Sequence, residues 1–234
     1  MIELHGLVGE AFTAKSIGYT LKEQMKHYKY IMFDWDGCLA QTLDVWIRAF
    51  RGELALRNIN PSEKDIAHKL GDRDLAAYFG VKDEAIFNKA AIGKAKEGLV
   101  RVYLYDGAIE LLNELKSQSK LALVSSSPSV VLEQGIRHNN IEDVFEVIVS
   151  GDDVSRYKPD PESLEKALSA MNGVKEAAIM VGDTANDIFA AHNFGIDSVL
   201  TFYRSHELIY GRKEIIQANP TFKVKDLLDL KNIL

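Results

Sequence analysis

Five short apolar runs, each followed by a helical pattern, constrain this chain more than any other feature. They are Tyr30-Ile31-Met32-Phe33, Leu121-Ala122-Leu123-Val124, Phe145 to Val149, Ala178-Ile179-Met180-Val181 and Ser198-Val199-Leu200. Continuous apolar strands alternating with helices indicate a parallel sheet buried on both faces. The expected fold is therefore α/β, a doubly wound parallel sheet. Three of the runs end directly in polar segments: Asp34, Ser125-Ser126-Ser127 and Gly182-Asp183-Thr184. Ligands of such sheets sit outside the carboxyl ends of the strands, so these residues fall where a site belongs.

Between Thr42 and about Tyr105 the pattern changes. No strand is evident, and the residues read as several helices: Leu43 to Arg57, a segment after Pro61, another around Asp74 to Phe79, and Asp83 to Lys96, punctuated by Gly71 and Gly80. A crossover between parallel strands needs only one helix, so several predict a small inserted domain. The expected organisation is a core of residues 29–42 and 106–234, a helical domain of residues 43–105, and an N-terminal extension of residues 1–28. In that extension Ile17, Leu21, Met25 and Tyr28 recur at three- and four-residue spacing behind Thr13, which predicts an amphipathic helix packed on the core.

The hydrophobic fraction of 47% and charged fraction of 26% fit a globular protein with ample core. A net charge of −6 with no basic cluster argues against nucleic acid as a partner. The sequence shows neither a signal-peptide layout nor a membrane-spanning run, so no membrane partner is expected. Cys38 is the single cysteine, which offers no disulfide and no metal-ligand spacing and suggests a cytoplasmic location, with the thiol simply buried. Monomer and homodimer are both open.

Asp34, Asp36 and Asp183 place three carboxylates at two strand ends. Each alone could merely start a helix, but a buried acidic cluster is costly unless a cation neutralises it, and hard oxygen donors suit magnesium. Asp34 and Asp36 lie two apart, so in a continuing strand they would face the same way. Lys158 sits between fixed backbone positions in Tyr157-Lys158-Pro159-Asp160-Pro161, where it can neutralise phosphate charge and keep a nucleophile ionised. Ser125 to Ser127 precede Pro128 and a helix, and hydroxyls with backbone N–H groups there can cradle a phosphate.

The set resembles the haloacid dehalogenase-like phosphatase superfamily through all four of its motifs, in order. Asp34-Trp35-Asp36-Gly37-Cys38-Leu39 resembles the first, Ser125 the second, Lys158-Pro159 the third, and Val181-Gly182-Asp183-Thr184-Ala185-Asn186-Asp187-Ile188 the fourth. The likeness is to the phosphoglycolate phosphatase and β-phosphoglucomutase branch, with a Rossmann-like core and a helical cap. It implies that Asp34 attacks phosphorus to form an aspartyl-phosphate and that Asp36 protonates the leaving alkoxide, then deprotonates water. It implies Mg2+ held by the Asp34 carboxylate, the Asp36 carbonyl and Asp183, with Asp187 in support, and phosphoryl charge stabilised by Ser125, Ser126 and Lys158. The expected activity is hydrolysis of a small phosphorylated metabolite. Arg48, Lys69 and Arg73 are the cap residues that such a likeness nominates for substrate contact, with hinges near Thr42 and Asp106-Gly107.

Dehalogenases of the superfamily lack the second aspartate of the first motif, so Asp36 argues for phosphoryl chemistry. Sugar-phosphate mutases share the motifs and the cap, but the histidine they use early in the first cap helix corresponds to Trp46, and Gln41 stands where many relatives carry an acid. Phosphoglycolate, sugar phosphates and nucleotides all stay open as substrates. A non-catalytic phosphate-binding module is the alternative from another class.

Overall fold

The computed structural model describes residues 26–203, 206 and 217–234. Six parallel strands form one sheet: β1 (Tyr30–Phe33), β2 (Lys120–Val124), β3 (Val147–Val149), β4 (Ala178–Gly182), β5 (Asp197–Thr201) and β6 (Phe222–Val224), in the order β3-β2-β1-β4-β5-β6. Two strands follow β1 on one side and three on the other, so the winding reverses beside β1 and opens a crevice at its carboxyl end. Apolar clusters cover both faces. Ile31 and Phe33 point into one, and Met32 with Met180 into the other.

Register carries the sequence motifs to one rim. Phe33 pairs with Leu123 on one side and Val181 on the other, so Asp34, Ser125 and Asp183 all emerge within a residue or two of the same level. The strand run expected from Phe145 begins two residues later, because Phe145 turns into the core and Glu146 only starts the pairing by donating to the Leu121 carbonyl. The expected N-terminal helix lies outside the described residues except for its last apolar position. Tyr28 is not helical; its ring is buried, and its hydroxyl donates to Asp197.

Residues 43–105 hold α1 (Leu43–Ala55), α2 (Glu63–Ala67), α3 (Leu75–Tyr78) and α4 (Glu84–Gly98), and no strand among the described residues. These helices share an apolar cluster of their own, including Ile47, Leu54, Ile66, Leu75 and Phe87. Trp46, Phe50 and Phe87 form a stacked row with ring centroids 5.9 Å apart at each step. Glu53, buried on α1, accepts from Lys94 at 2.6 Å and Arg57 at 3.1 Å, tying α1 to α4. The remaining helices are α5 (Ala108–Leu115), α6 (Ser129–His138), α7 (Glu162–Ala170) and α8 (Ala185–Phe194), which flank the sheet. No described helix is long and apolar enough to cross a membrane.

Candidate active site

β1 stops at Phe33 because the chain turns immediately afterwards. The Asp34 N–H still donates to the Val181 carbonyl at 2.9 Å, but the Trp35 carbonyl then accepts from Leu39 and Ala40, folding residues 35–40 into a tight loop. Gly37 is the residue this loop requires. Its φ is +83°, and a Cβ there would lie 2.3 Å from Asp183 Oδ2. The expectation that Asp34 and Asp36 share a face of a continuing strand is therefore corrected: the loop aims the two side chains at different partners.

Asp34 faces the sheet rim. Lys158, buried, donates through Nζ to Asp34 at 2.5 Å, to Asp187 at 2.6 Å and to the Val124 carbonyl at 3.1 Å. Asp160 caps the helix Glu162–Ala170 from just outside, accepting from the Glu162 N–H at 3.0 Å. Thr184 caps α8, and Asp187 completes the capping box by accepting the Thr184 N–H at 3.0 Å and hydroxyl at 2.7 Å. Asp187 thus gives one oxygen to the helix start and the other to Lys158. Asp34, Asp183 and Asp187 each offer an oxygen within 4.8 Å of the others. Three buried carboxylates against one ammonium leave two net negative charges, and an all-oxygen donor set of that charge fits a divalent cation such as Mg2+.

Asp36 is held differently. Its Oδ1 accepts from the Thr42 hydroxyl and the Trp46 indole N–H, both at 2.7 Å. Its Oδ2 accepts from the Ser127 hydroxyl at 2.6 Å and the Ser125 hydroxyl at 3.3 Å. Four donors fix the orientation of this one carboxylate on the lining of a cavity of about 470 Å³ that it shares with Asp34, Lys158 and all three serines.

A family model for haloacid dehalogenase-like hydrolases matches residues 31–201, which contain every one of these groups. The chain belongs to that family. Among curated relatives, pyrophosphatase PpaX of Halalkalibacterium halodurans is 28% identical over 218 residues, spanning 87% of this chain and 95% of that protein. Among solved structures, a Haemophilus somnus protein predicted to be a phosphoglycolate phosphatase is 25% identical, with a TM-score of 0.76 over 88% of this chain and 97% of the other. A Thermotoga maritima protein proposed to be a β-phosphoglucomutase is 26% identical, with a TM-score of 0.66 over 88% of this chain and 100% of the other.

In this haloacid dehalogenase-like hydrolase, burial pushes the Asp34 carboxyl up to about 8, opposed by the Lys158 ammonium and reinforced by Asp187 and Asp36. A cation among the carboxylates would favour its ionised form. Burial alone would lower Lys158, but Asp187 and Asp34 outweigh it and hold the ammonium charged. Burial and the neighbouring acids push the Cys38 thiol up, and its sulfur lies 3.5 Å from the Val181 carbonyl, so Cys38 packs as a thiol and is no nucleophile.

The three nominated residues of the helical segment separate. Arg73 lines the cavity and donates to the Ser155 carbonyl at 3.0 Å and the Val154 carbonyl at 3.2 Å, its guanidinium 4.3 Å from the Tyr157 ring centre. Lys69 faces a neighbouring shallow cleft and pairs with Asp72 at 3.0 Å. Arg48 lies outside the cavity, exposed and paired with Asp44 at 2.7 Å; one helical turn directs it to solvent.

Sequence reasoning missed the donors to Asp36. Thr42 stands at the cap position of α1 yet makes no cap bond with its side chain; with Trp46 four residues on, it lies on the helix face toward Asp36, and that spacing was the available signal. Ser127 was read only as part of a phosphate cradle. His206 carried no signal at all. It is buried, its Nε2 lies 3.0 Å from the Tyr105 hydroxyl and its Nδ1 3.8 Å from Asp183, and burial lowers it to about 4, so the ring is neutral.

Proposed function

We propose that this enzyme is a Mg2+-dependent phosphatase that hydrolyses a small phosphate monoester through an aspartyl-phosphate on Asp34. The observation that carries the reading is the convergence at one sheet rim of Asp34, clamped by buried Lys158, with Asp183, Asp187 and a fully hydrogen-bonded Asp36. A carboxylate oxygen of Asp34 attacks phosphorus and the bond from phosphorus to the ester oxygen breaks. Asp36, protonated in that step, gives its proton to the departing alkoxide. The resulting carboxylate then takes a proton from water, whose oxygen attacks phosphorus and releases Asp34. Lys158 and the Ser125 hydroxyl, with the N–H of Ser126, stabilise the phosphoryl oxygens. Asp34, Asp183 and the Asp36 carbonyl are the groups that would hold Mg2+, with Asp187 supporting through Lys158; the ion supplies counter-charge to the phosphoryl group. Helices α1 to α4 then serve as the cap that excludes bulk water.

Trp46 favours hydrolysis over mutase chemistry, because an indole N–H donates but cannot accept and relay a proton as a histidine would. The test is phosphate release from para-nitrophenyl phosphate with Mg2+. Activity is expected for the native chain and none for Asp34→Asn at unchanged folding. Substantial turnover in that variant refutes the nucleophile, and no turnover by the native chain under any divalent metal refutes the enzyme.

A further inference from the structure

The wall that the helical segment gives to the cavity carries little that could recognise charge. Leu43, Trp46, Phe50, Leu70, Leu75 and Ile92 line it from the helical segment, and Pro128 adds to it from the core. Leu43, Trp46 and Leu75 are buried, and the Trp46–Phe50 stack makes the wall stiff as well as apolar. Asn88 is the one uncharged polar side chain that the segment contributes. Only two cations line the chamber among the described residues, Lys158 and Arg73, and neither stands on the apolar wall. Lys158 is surrounded by Asp34, Asp187 and the Val124 carbonyl, at the reacting end. Arg73 is exposed at the rim, donating to two core carbonyls and covering the Tyr157 ring. The other charged group of the segment on the lining is Asp72, an acid, with its Oδ1 accepting from Asn186 at 2.9 Å.

A second anionic group on a substrate laid against this wall would leave its hydration and meet no cation among the described wall residues, since Arg73 stands at the rim turned to the Ser155 and Val154 carbonyls, a penalty of the kind that rejects buried unpaired charge. Several hydroxyls turned toward the helical segment would fare only somewhat better, since Asn88 is the one uncharged polar side chain on that side. Apolar carbon fits: each methylene placed there is removed from water. We infer that the substrate's organic group is uncharged and largely apolar, an alkyl or aryl monophosphate. The inference rests on the phosphatase reading above and narrows it away from phosphoglycolate, pyrophosphate and sugar phosphates.

The test uses matched esters whose leaving alcohols are equally good, so that only the wall distinguishes them. Phosphate release by the full chain with Mg2+ is measured for ethyl phosphate, n-hexyl phosphate and the hexyl ester bearing a terminal carboxylate. The expected kcat/KM for n-hexyl phosphate exceeds each of the other two by about tenfold or more. Equal values within the hexyl pair, preference for the carboxylate, or faster turnover of phosphoglycolate or pyrophosphate overturns the inference. Calorimetry with hexylphosphonate and its terminal carboxylate analogue reads the same wall without turnover. Tighter binding of the first supports the inference even if no ester is hydrolysed, an outcome that would strike the phosphatase reading alone; equal or reversed binding overturns it. Asn88→Lys is expected to move the hexyl-pair ratio toward the carboxylate by about tenfold, and an unmoved ratio in the folded variant counts against the wall as the selector.

Discussion

Trp46→Phe removes a single hydrogen-bond donor from Asp36 while keeping an aromatic ring in the row with Phe50 and Phe87. A hydrogen bond to a charged group contributes about 1.5–3 kcal/mol. Here the same oxygen keeps the Thr42 hydroxyl at 2.7 Å, and the other oxygen keeps Ser127 and Ser125, so the lower end of that range applies. About 1.5 kcal/mol corresponds to roughly tenfold in whichever step depends on the placement of Asp36. On the proposed mechanism that step is the attack of water, where Asp36 serves as base and the four donors fix the position of its carboxylate. Rapid-quench measurement with radiolabelled phosphate ester separates formation of the aspartyl-phosphate from its decay. Formation is expected to change little, whereas decay slows about tenfold and the intermediate accumulates. The Thr42→Val variant and the double variant close a cycle, and because both donors share one oxygen a coupling of at least 0.5 kcal/mol is expected. Decay within twofold of the native rate in a folded Trp46→Phe protein refutes the idea that the indole positions the base. An effect confined to KM would show instead that Trp46 matters only as cavity wall.

Glu53→Gln should loosen the junction of α1 and α4, since Lys94 and Arg57 both donate to this buried carboxylate and draw its proton affinity down. A loss of about 1–3 kcal/mol is expected, read as faster amide exchange across residues 43–98 with the sheet still protected; uniform exchange refutes it. Ser150→Ala tests a pH dependence. The Ser150 hydroxyl and N–H, donating to Asp153 at 2.6 and 2.8 Å, hold that carboxyl below the usual range. A lowered folded-state value means stability present above the unfolded value near pH 4 and lost as pH falls through the folded one. The variant should lose about 0.5–2 kcal/mol in urea titrations at pH 7, with the difference shrinking in acid; a difference that grows in acid contradicts the assignment.

What the sequence made legible was whatever backbone position alone decides. Strands such as Ala178–Gly182 are buried at every residue, so their apolar runs were unbroken and the residues leaving them were the site. β6 was missed because it is a three-residue edge strand, Phe222-Lys223-Val224, in which only Val224 is buried. Asp34, Lys158, Asp183 and Asp187 meet because register and capping place them, and register follows from burial. Trp46, Ser127 and His206 come from three distant stretches, and their approach depends on how helices and loops pack, which no local pattern encodes. The orientation of Asp36 was misread for a related reason: the strand ends where Gly37 reverses the chain against Asp183, a tertiary constraint expressed as one glycine.

The two halves of the site differ in how firmly they are built. The clustered acids hang from a parallel sheet with buried neighbours on both faces, and one lysine bonds the loop after β1, the end of β2 and the first turn of α8. The apolar wall, by contrast, is held over that rim by few polar contacts: Trp46 to Asp36, Asn186 to Asp72, and Arg73 to two carbonyls and the Tyr157 ring. Neutral hydrogen bonds contribute about 1 kcal/mol each, those to a charged group somewhat more, and an exposed cation–π contact about 0.5–1. Their sum is several kcal/mol, a gap that the binding of one small ligand can shift. Asp72 and Arg73 are thereby better placed to govern entry and closure than bond-making. An apolar substrate that joins the two halves from inside would strengthen a closure that these polar contacts alone leave shallow.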